Sequence, residues 1–417
     1  MTLASEPLAP GELHDEQVVA LLRAGTHAHA LSAFFGEREY RELSHLARLA
    51  ATRHDPHGTR VYILPGIMGS RLGTRTRELP LLWLHPGAVM QGALMHLALP
   101  GTHTMMALGV MLPAYLKMRL WLEISGFRPA LHGFDWRCDI DSLANQLIAR
   151  IEQANDKRIM LVGHSMGGLV ARAALGIQKR IEIERVVQLG APNHGSFAPV
   201  LAMRASYPTV RKLAALDRSH SAEEIAEKVF RTLPGIYDLF PDSLRTGDAD
   251  LFDISNWPVD ALTPDRDLLL KARSSRVHLP RADARCHSIV GVAQETVIAA
   301  NLRDNQFEYS VACNGDGTVP LERAIWSGAQ HWYSSENHGA LPTNESVLGG
   351  LVDLLRNGKT ERLSREPSGS NEIIRRIADM ELRAHARHKV AWDSLSIDSR
   401  RRILEPVFTS EFLAPDC

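Results

Sequence analysis

The apolar run Ile159-Met160-Leu161-Val162 leads directly into Gly163-His164-Ser165-Met166-Gly167-Gly168. This is G-x-S-x-G between a strand and a helix, the arrangement that holds a serine hydroxyl out of a strained turn for nucleophilic attack. The small residues around Ser165 let the helix pack close to the strand. The helix N-terminus then points unpaired N–H groups at the same place. By chance the bare pattern occurs in about one chain in ten of this length, so its weight depends on what surrounds it.

Strand-like and helix-like segments alternate around the turn. Arg60-Val61-Tyr62-Ile63-Leu64 reads as a strand ended by Pro65-Gly66, residues 141–154 as an amphipathic helix, and Val186-Val187-Gln188-Leu189 and His287–Val292 as further strands. This alternation predicts an α/β fold, a mostly parallel central sheet with helices on both faces. Residues 1–58 carry helical spacing (Val18, Leu21 and Leu22, then Leu43, Leu46 and Leu49) and form an N-terminal helical extension. Residues 59–360 are the α/β domain. An interval from about Phe197 to Arg285 lacks a clear strand, and a cap insertion over 197–283 fits it better than a structureless loop. Residues 361–417 read as a C-terminal helical extension, with a charged helical stretch from Asn371 to Val390.

The chain has 417 residues and a net charge of -1, so no global field favours nucleic acid or an anionic membrane. Cys138, Cys286, Cys313 and Cys417 form no C-x-x-C pair and read as reduced thiols. The first eleven residues lack an apolar run of signal-peptide type, and a cytoplasmic location is expected. Residues 79–116 contain no Asp, Glu, Lys or Arg. His85, Pro86, Gln91, His96, Pro100-Gly101 and Pro113 interrupt them, which argues against a membrane span. Two readings stay open for this stretch: buried core, or an apolar lid that makes peripheral contact with a membrane.

A serine hydroxyl needs a base to take its proton, and the base needs an acid to fix its tautomer. With a strand–Ser–helix turn the chain order is Ser, then Asp or Glu, then His. The acid predicted here is Asp316, in Asn314-Gly315-Asp316-Gly317-Thr318-Val319-Pro320, although an aspartate between glycines also suits a plain turn. The base predicted is His338, in a polar loop ahead of a helix near 344–355. His331 competes with it but lies in a strand-like run with Trp332 and Tyr333, and His164 reads as structural. The oxyanion donors are assigned to the backbone N–H of Met166, after the nucleophile, and of Ile67, after the first strand. Such a triad needs no cofactor or metal, and no ligand cluster is visible.

These segments, taken in order, resemble the lecithin:cholesterol acyltransferase and lysosomal phospholipase A2 family of α/β-hydrolases. The resemblance rests on Leu64-Pro65-Gly66-Ile67-Met68-Gly69-Ser70-Arg71-Leu72, Gly133-Phe134-Asp135-Trp136-Arg137 and the Ser165 turn. It continues through Leu189–Ser196, Gly315–Val319 and Asn337-His338-Gly339. It implies the same triad and donors, an acyl-serine formed from a lipid ester, and transfer of the acyl group to water or an alcohol. It also implies that residues 73–125 form a lid region and 197–283 a cap, both in contact with lipid, with Asp135 and Arg137 structural. The family's tyrosine before Asp-Trp-Arg is Phe134 here, and the signal peptide and disulfides of its secreted members are missing from the pattern. The expectation is a serine ester hydrolase or acyltransferase of lipase or phospholipase type. An esterase or amidase on a soluble substrate is the alternative, and a catalytically idle interaction module is the alternative of another class.

Overall fold

A computed structural model describes residues 10–74, 81–101, 104–177, 180–244, 248–384, 389–390, 392–396 and 399–400. Its strands are, in chain order, β1 (Arg60–Leu64), β2 (Ser70–Gly73), β3 (Met106–Val110), β4 (Arg128–Leu131), β5 (Arg158–His164) and β6 (Glu182–Leu189). They continue with β7 (Cys286–Gly291), β8 (Thr296–Arg303), β9 (Gln306–Ala312), β10 (Gln330–Ser334) and β11 (Ile373–Ala378).

Six of them form one parallel sheet in the order β10-β7-β6-β5-β1-β4. Its two faces follow from side-chain alternation along each strand. Tyr62, Leu64, Ile159 and Leu161 join one core, and Val61, Ile63, Met160 and Val162 join the other. Helices Ile140–Gln153 and Met166–Gly176 cover the first face through Leu143, Leu147, Ile151, Leu169 and Val170. Helices Leu112–Ile124 and Glu345–Asn357 cover the second through Leu116, Leu120, Leu348, Leu351 and Leu355. Each such fully buried aliphatic side chain contributes about 1.5–3 kcal/mol relative to exposure.

The N-terminal helices extend the second core, packing on helix Leu112–Ile124. Helix Glu37–Arg53 buries Leu43, Ala47 and Ala50 along one stripe. Ion pairs reinforce the seam: Arg71–Asp15 at 2.7 Å, Arg119–Glu16 at 2.7 Å, Arg23–Glu123 at 2.8 Å, and Lys117–Glu42. The Asp15 carboxylate also accepts the Val110 N–H at 3.1 Å, so helix Asp15–Ala24 is tied to the β2–β3 ribbon.

Residues 197–283 hold the helices Ala198–Met203, Pro208–Leu216, Ala222–Lys228, Pro234–Tyr237 and Arg266–Val277, and no strand among the described residues. The described part of the uncharged stretch 79–116 packs inward. Leu82, Trp83, Val89, Leu94 and Leu97 sit in the first core, and none of its described residues is among the exposed large apolar side chains. Trp83 donates its indole N–H to the Met68 carbonyl at 2.8 Å and meets Trp136 edge-on at 5.2 Å.

One sequence expectation needs correcting. Within Asn371–Val390, Ile373–Ala378 is a strand, and among the described residues helix covers Asp379–Ala384. The β-branched Ile373, Ile374 and Ile377 suit an extended backbone, and β9 offers an open edge. Strands β11, β9 and β8 form a separate antiparallel sheet. Its hairpin turns at Asp304-Asn305, both with positive φ (46° and 57°), the two-residue turn that matches strand twist. The part of the C-terminal segment from 401 to 417 lies outside the described residues.

Candidate active site

Strand β5 ends at His164, and Ser165 follows at φ 54°, ψ −123°, a conformation L-residues rarely adopt. The close approach of strand and helix demands the flanking glycines. A Cβ on Gly163 would lie 2.4 Å from the Gly167 carbonyl oxygen, and one on Gly167 would lie 2.4 Å from the Leu64 oxygen. Ser165 donates its N–H to the Leu189 carbonyl at 2.9 Å, which fixes the turn to β6.

Asp316 follows β9, and His338 follows β10. The His338 ring Nδ1 lies 2.8 Å from Asp316 Oδ2, and its N–H donates to the Asp316 carbonyl at 2.7 Å. The other carboxylate oxygen, Oδ1, accepts the N–H groups of Thr318 at 3.0 Å and Val319 at 2.7 Å. Both oxygens are therefore committed, and both residues are buried. With Nδ1 engaged, Nε2 is the ring nitrogen left to serve Ser165. No hydrogen bond joins the Ser165 hydroxyl and the His338 ring among the described residues. Such contacts often tighten only when substrate is bound. His331, the competing histidine, is in β10 and accepts the Trp326 N–H at 3.1 Å.

The loop after β1 turns at once, with Gly69 N–H donating to the Gly66 carbonyl at 3.0 Å and Met68 at φ 61°. It lies against Ser165: a Cβ on Gly66 would be 3.0 Å from Ser165 Cβ. The Gly66 N–H is taken by the Tyr115 hydroxyl at 2.8 Å. Met166 is the first residue of helix Met166–Gly176, where an N–H has no intrahelical acceptor. Ile67 lines the same cavity as Ser165 and His338. This cavity, open to solvent, lies at the carboxyl ends of the sheet strands, where α/β sheets place their ligands.

Sequence reading expected the segments 73–125 and 197–283 to contact substrate but did not name the residues of the walls. Tyr115 comes from helix Leu112–Ile124, and Ala198, Ala202, Tyr207, Ile236 and Leu239 come from the cap. No motif marks them, because they are ordinary apolar residues brought over the site by tertiary packing. Asp135 and Arg137 pair with each other, at 2.6 and 2.8 Å, while Trp136 donates to the Ser70 carbonyl at 3.2 Å. That brace sits under the loop after β1. Among the described residues no group of three or more His, Cys, Asp or Glu could hold a metal ion.

The model of a PGAP1-like α/β domain matches residues 139–228, a span that contains the Ser165 turn. No curated protein matches the chain. Solved structures similar to it include the Tle4–Tli4 complex, at 16% identity over 57% of this chain and 75% of that one, with a TM-score of 0.42. The Bacillus licheniformis lipase BlEst2 in its propeptide form is 14% identical over 77% of this chain and 53% of that one, with a TM-score of 0.37. The type II thioesterase BorB from the borrelidin biosynthetic cluster is 17% identical over 73% and 95%, with a TM-score of 0.32.

The parallel sheet, the turn at Ser165 and the domain match define the class: the protein has an α/β-hydrolase fold. The resemblance read from the sequence is met at the level of that fold and of a PGAP1-like α/β domain over residues 139–228. No described helix is long and apolar enough to cross a membrane.

Proposed function

We propose that the chain is a serine hydrolase that cleaves carboxylic esters through an acyl-serine intermediate, with lipid esters as substrates. The observation that carries this reading is the buried Asp316–His338 pair, at 2.8 Å, in one cavity with a serine on a positive-φ turn. His338 Nε2 takes the hydroxyl proton as Ser165 Oγ attacks the ester carbonyl. Asp316 holds the ring and stabilises the imidazolium. The N–H groups of Ile67 and Met166 receive the developing oxyanion, each worth about 2.7–4 kcal/mol. His338 then protonates the leaving alcohol, and water or another alcohol, activated by the same ring, releases the acyl group.

A lipid acyl chain is supported by the walls, where Ile67, Met68, Met111, Ala198, Ala202 and Leu239 present apolar surface beside the nucleophile. Methionine adapts its shape to varied chains. The resemblance to the acyltransferase and phospholipase A2 family points the same way. A shorter soluble ester is the second reading, favoured by the inward packing of 79–116, whose described residues present no large exposed apolar side chain.

Labelling with a fluorophosphonate tests the first step: wild type labels and Ser165→Ala does not. A panel of phospholipids, glycerides and 4-nitrophenyl esters of increasing chain length tests the substrate. An unlabelled wild type, with lipid present, would remove the hydrolase reading. A preference for acetate over long chains would replace lipid with a soluble ester.

A further inference from the structure

His164 is a buried titratable side chain that the proposed chemistry does not use. It nevertheless touches the machinery at both ends. Its Nε2 lies 3.0 Å from the His338 carbonyl oxygen, and its Nδ1 lies 2.9 Å from the Tyr115 hydroxyl, which accepts the Gly66 N–H at 2.8 Å. The two imidazoles lie against each other, with centroids 4.8 Å apart.

The partners permit one proton arrangement. A carbonyl oxygen only accepts, so His164 Nε2 carries the proton that reaches His338. His164 Nδ1 then has a free lone pair, and the Tyr115 proton points to it. The Tyr115 oxygen is left to accept from Gly66. A neutral imidazole in the Nε2–H form satisfies every group. A protonated ring would set its Nδ1–H against the Tyr115 O–H and place a cation beside His338. Burial, and then His338, hold the His164 pKa well below the usual imidazole range, consistent with that form. Burial likewise raises the Tyr115 pKa, so its proton stays available for donation.

We infer that Tyr115 and His164 are positioning residues, a hydrogen-bonded relay that sets the donor loop and the base in register with each other. The inference rests on the serine hydrolase reading of Ser165. At one end the relay anchors Gly66, which leaves the next N–H, that of Ile67, at the nucleophile. At the other it grips the His338 carbonyl while Asp316 holds the His338 N–H and ring. A sub-ångström drift of either group misaligns attack, and a 1 Å misplacement costs about 100-fold.

The test uses the full-length protein with 4-nitrophenyl butyrate. H164F keeps the volume and removes both bonds, and it is expected to lower kcat about 10- to 100-fold with KM nearly unchanged. H164Q restores an N–H at the Nε2 position, and much of the kcat is expected to return. Y115F removes one hydroxyl, and its loss combined with H164F is expected to be less than the product of the two, because they break one chain. Wild-type kcat in H164F, no rescue by Gln, or multiplicative losses in the double variant would each overturn the relay. Nitrogen-15 histidine resonances supply a readout independent of turnover. The groups facing His164 are Tyr115 and His338, the latter carrying Asp316. A neutral Nε2–H His164 that does not titrate down to pH 5 supports the relay, and an Nδ1–H tautomer sinks it. Failure of the hydrolase reading itself shows separately, as a wild type indistinguishable from Ser165→Ala.

Discussion

Asp316 holds His338 twice, carboxylate to ring at 2.8 Å and carbonyl to N–H at 2.7 Å. The backbone contact survives when the carboxylate is changed. Asp316→Asn can still accept from Thr318 and Val319, but its amide turns N–H toward Nδ1. The imidazole then adopts the wrong tautomer, with a proton facing Ser165. The expected loss in kcat is about 10⁴-fold, with an unchanged circular dichroism spectrum. A loss under tenfold would show that Asp316 is only a turn residue.

The donor at Ile67 can be removed without reshaping its loop. Residues 66–69 form a turn with positive φ at its third position, the pattern in which proline suits the second position. Ile67→Pro deletes the N–H and should lower kcat about 10²- to 10³-fold with little effect on melting temperature. An unaltered kcat would assign the second donor elsewhere.

Trp83 and Leu94 belong to the core rather than to a lid. Truncating Leu94 to Ala should cost about 2–5 kcal/mol, and truncating Trp83 about 3–5 kcal/mol, read by denaturant unfolding. Chain-length preference among 4-nitrophenyl esters should hold in both. Met111→Ala, in the cavity wall, should shift that preference instead.

Asp238 gives a pH signature of stability. Its Oδ2 accepts the Ile140 N–H at 2.7 Å, and burial pushes its pKa up to about 7, with Asp139, Asp141 and Arg276 nearby. In the unfolded chain it ionises near 4. Between those values the folded state keeps a proton that the unfolded state has lost. Its contribution to stability is therefore complete below about pH 4, falls as pH rises to about 7, and is flat above. Asp238→Asn should melt higher than wild type at pH 8, and the gap should close on acidification to pH 4. A gap independent of pH would show that Asp238 is ionised throughout.

Much of the site was legible because its parts obey local rules. The Ser165 turn needs its glycines, the chain order predicts where the proposed acid and base follow, and both proposed donors are backbone groups beside recognisable turns. Strands β1, β5, β6 and β7, and β10 in its run with Trp332 and Tyr333, were legible from short apolar runs. What escaped depends on contacts distant in sequence. Tyr115 carries no motif, and its role arises only because its hydroxyl reaches between Gly66 and His164. The charged spacing of 371–390 suggested helix, but local pattern cannot reveal the open edge of β9 that makes Ile373–Ala378 a strand.

That strand reaches further than its place in the chain suggests. Ser370 N–H donates to the Cys313 carbonyl at 3.0 Å, and Asn314 donates its side-chain amide to Asn371. The residues leading into Asp316 are thus braced by chain made after every proposed catalytic residue. A polypeptide still growing on the ribosome would hold Ser165 and His338 already formed while the acid loop lacks its brace. On the proposed reading, the acid loop would thus be the part of the site that gains its full set of contacts last.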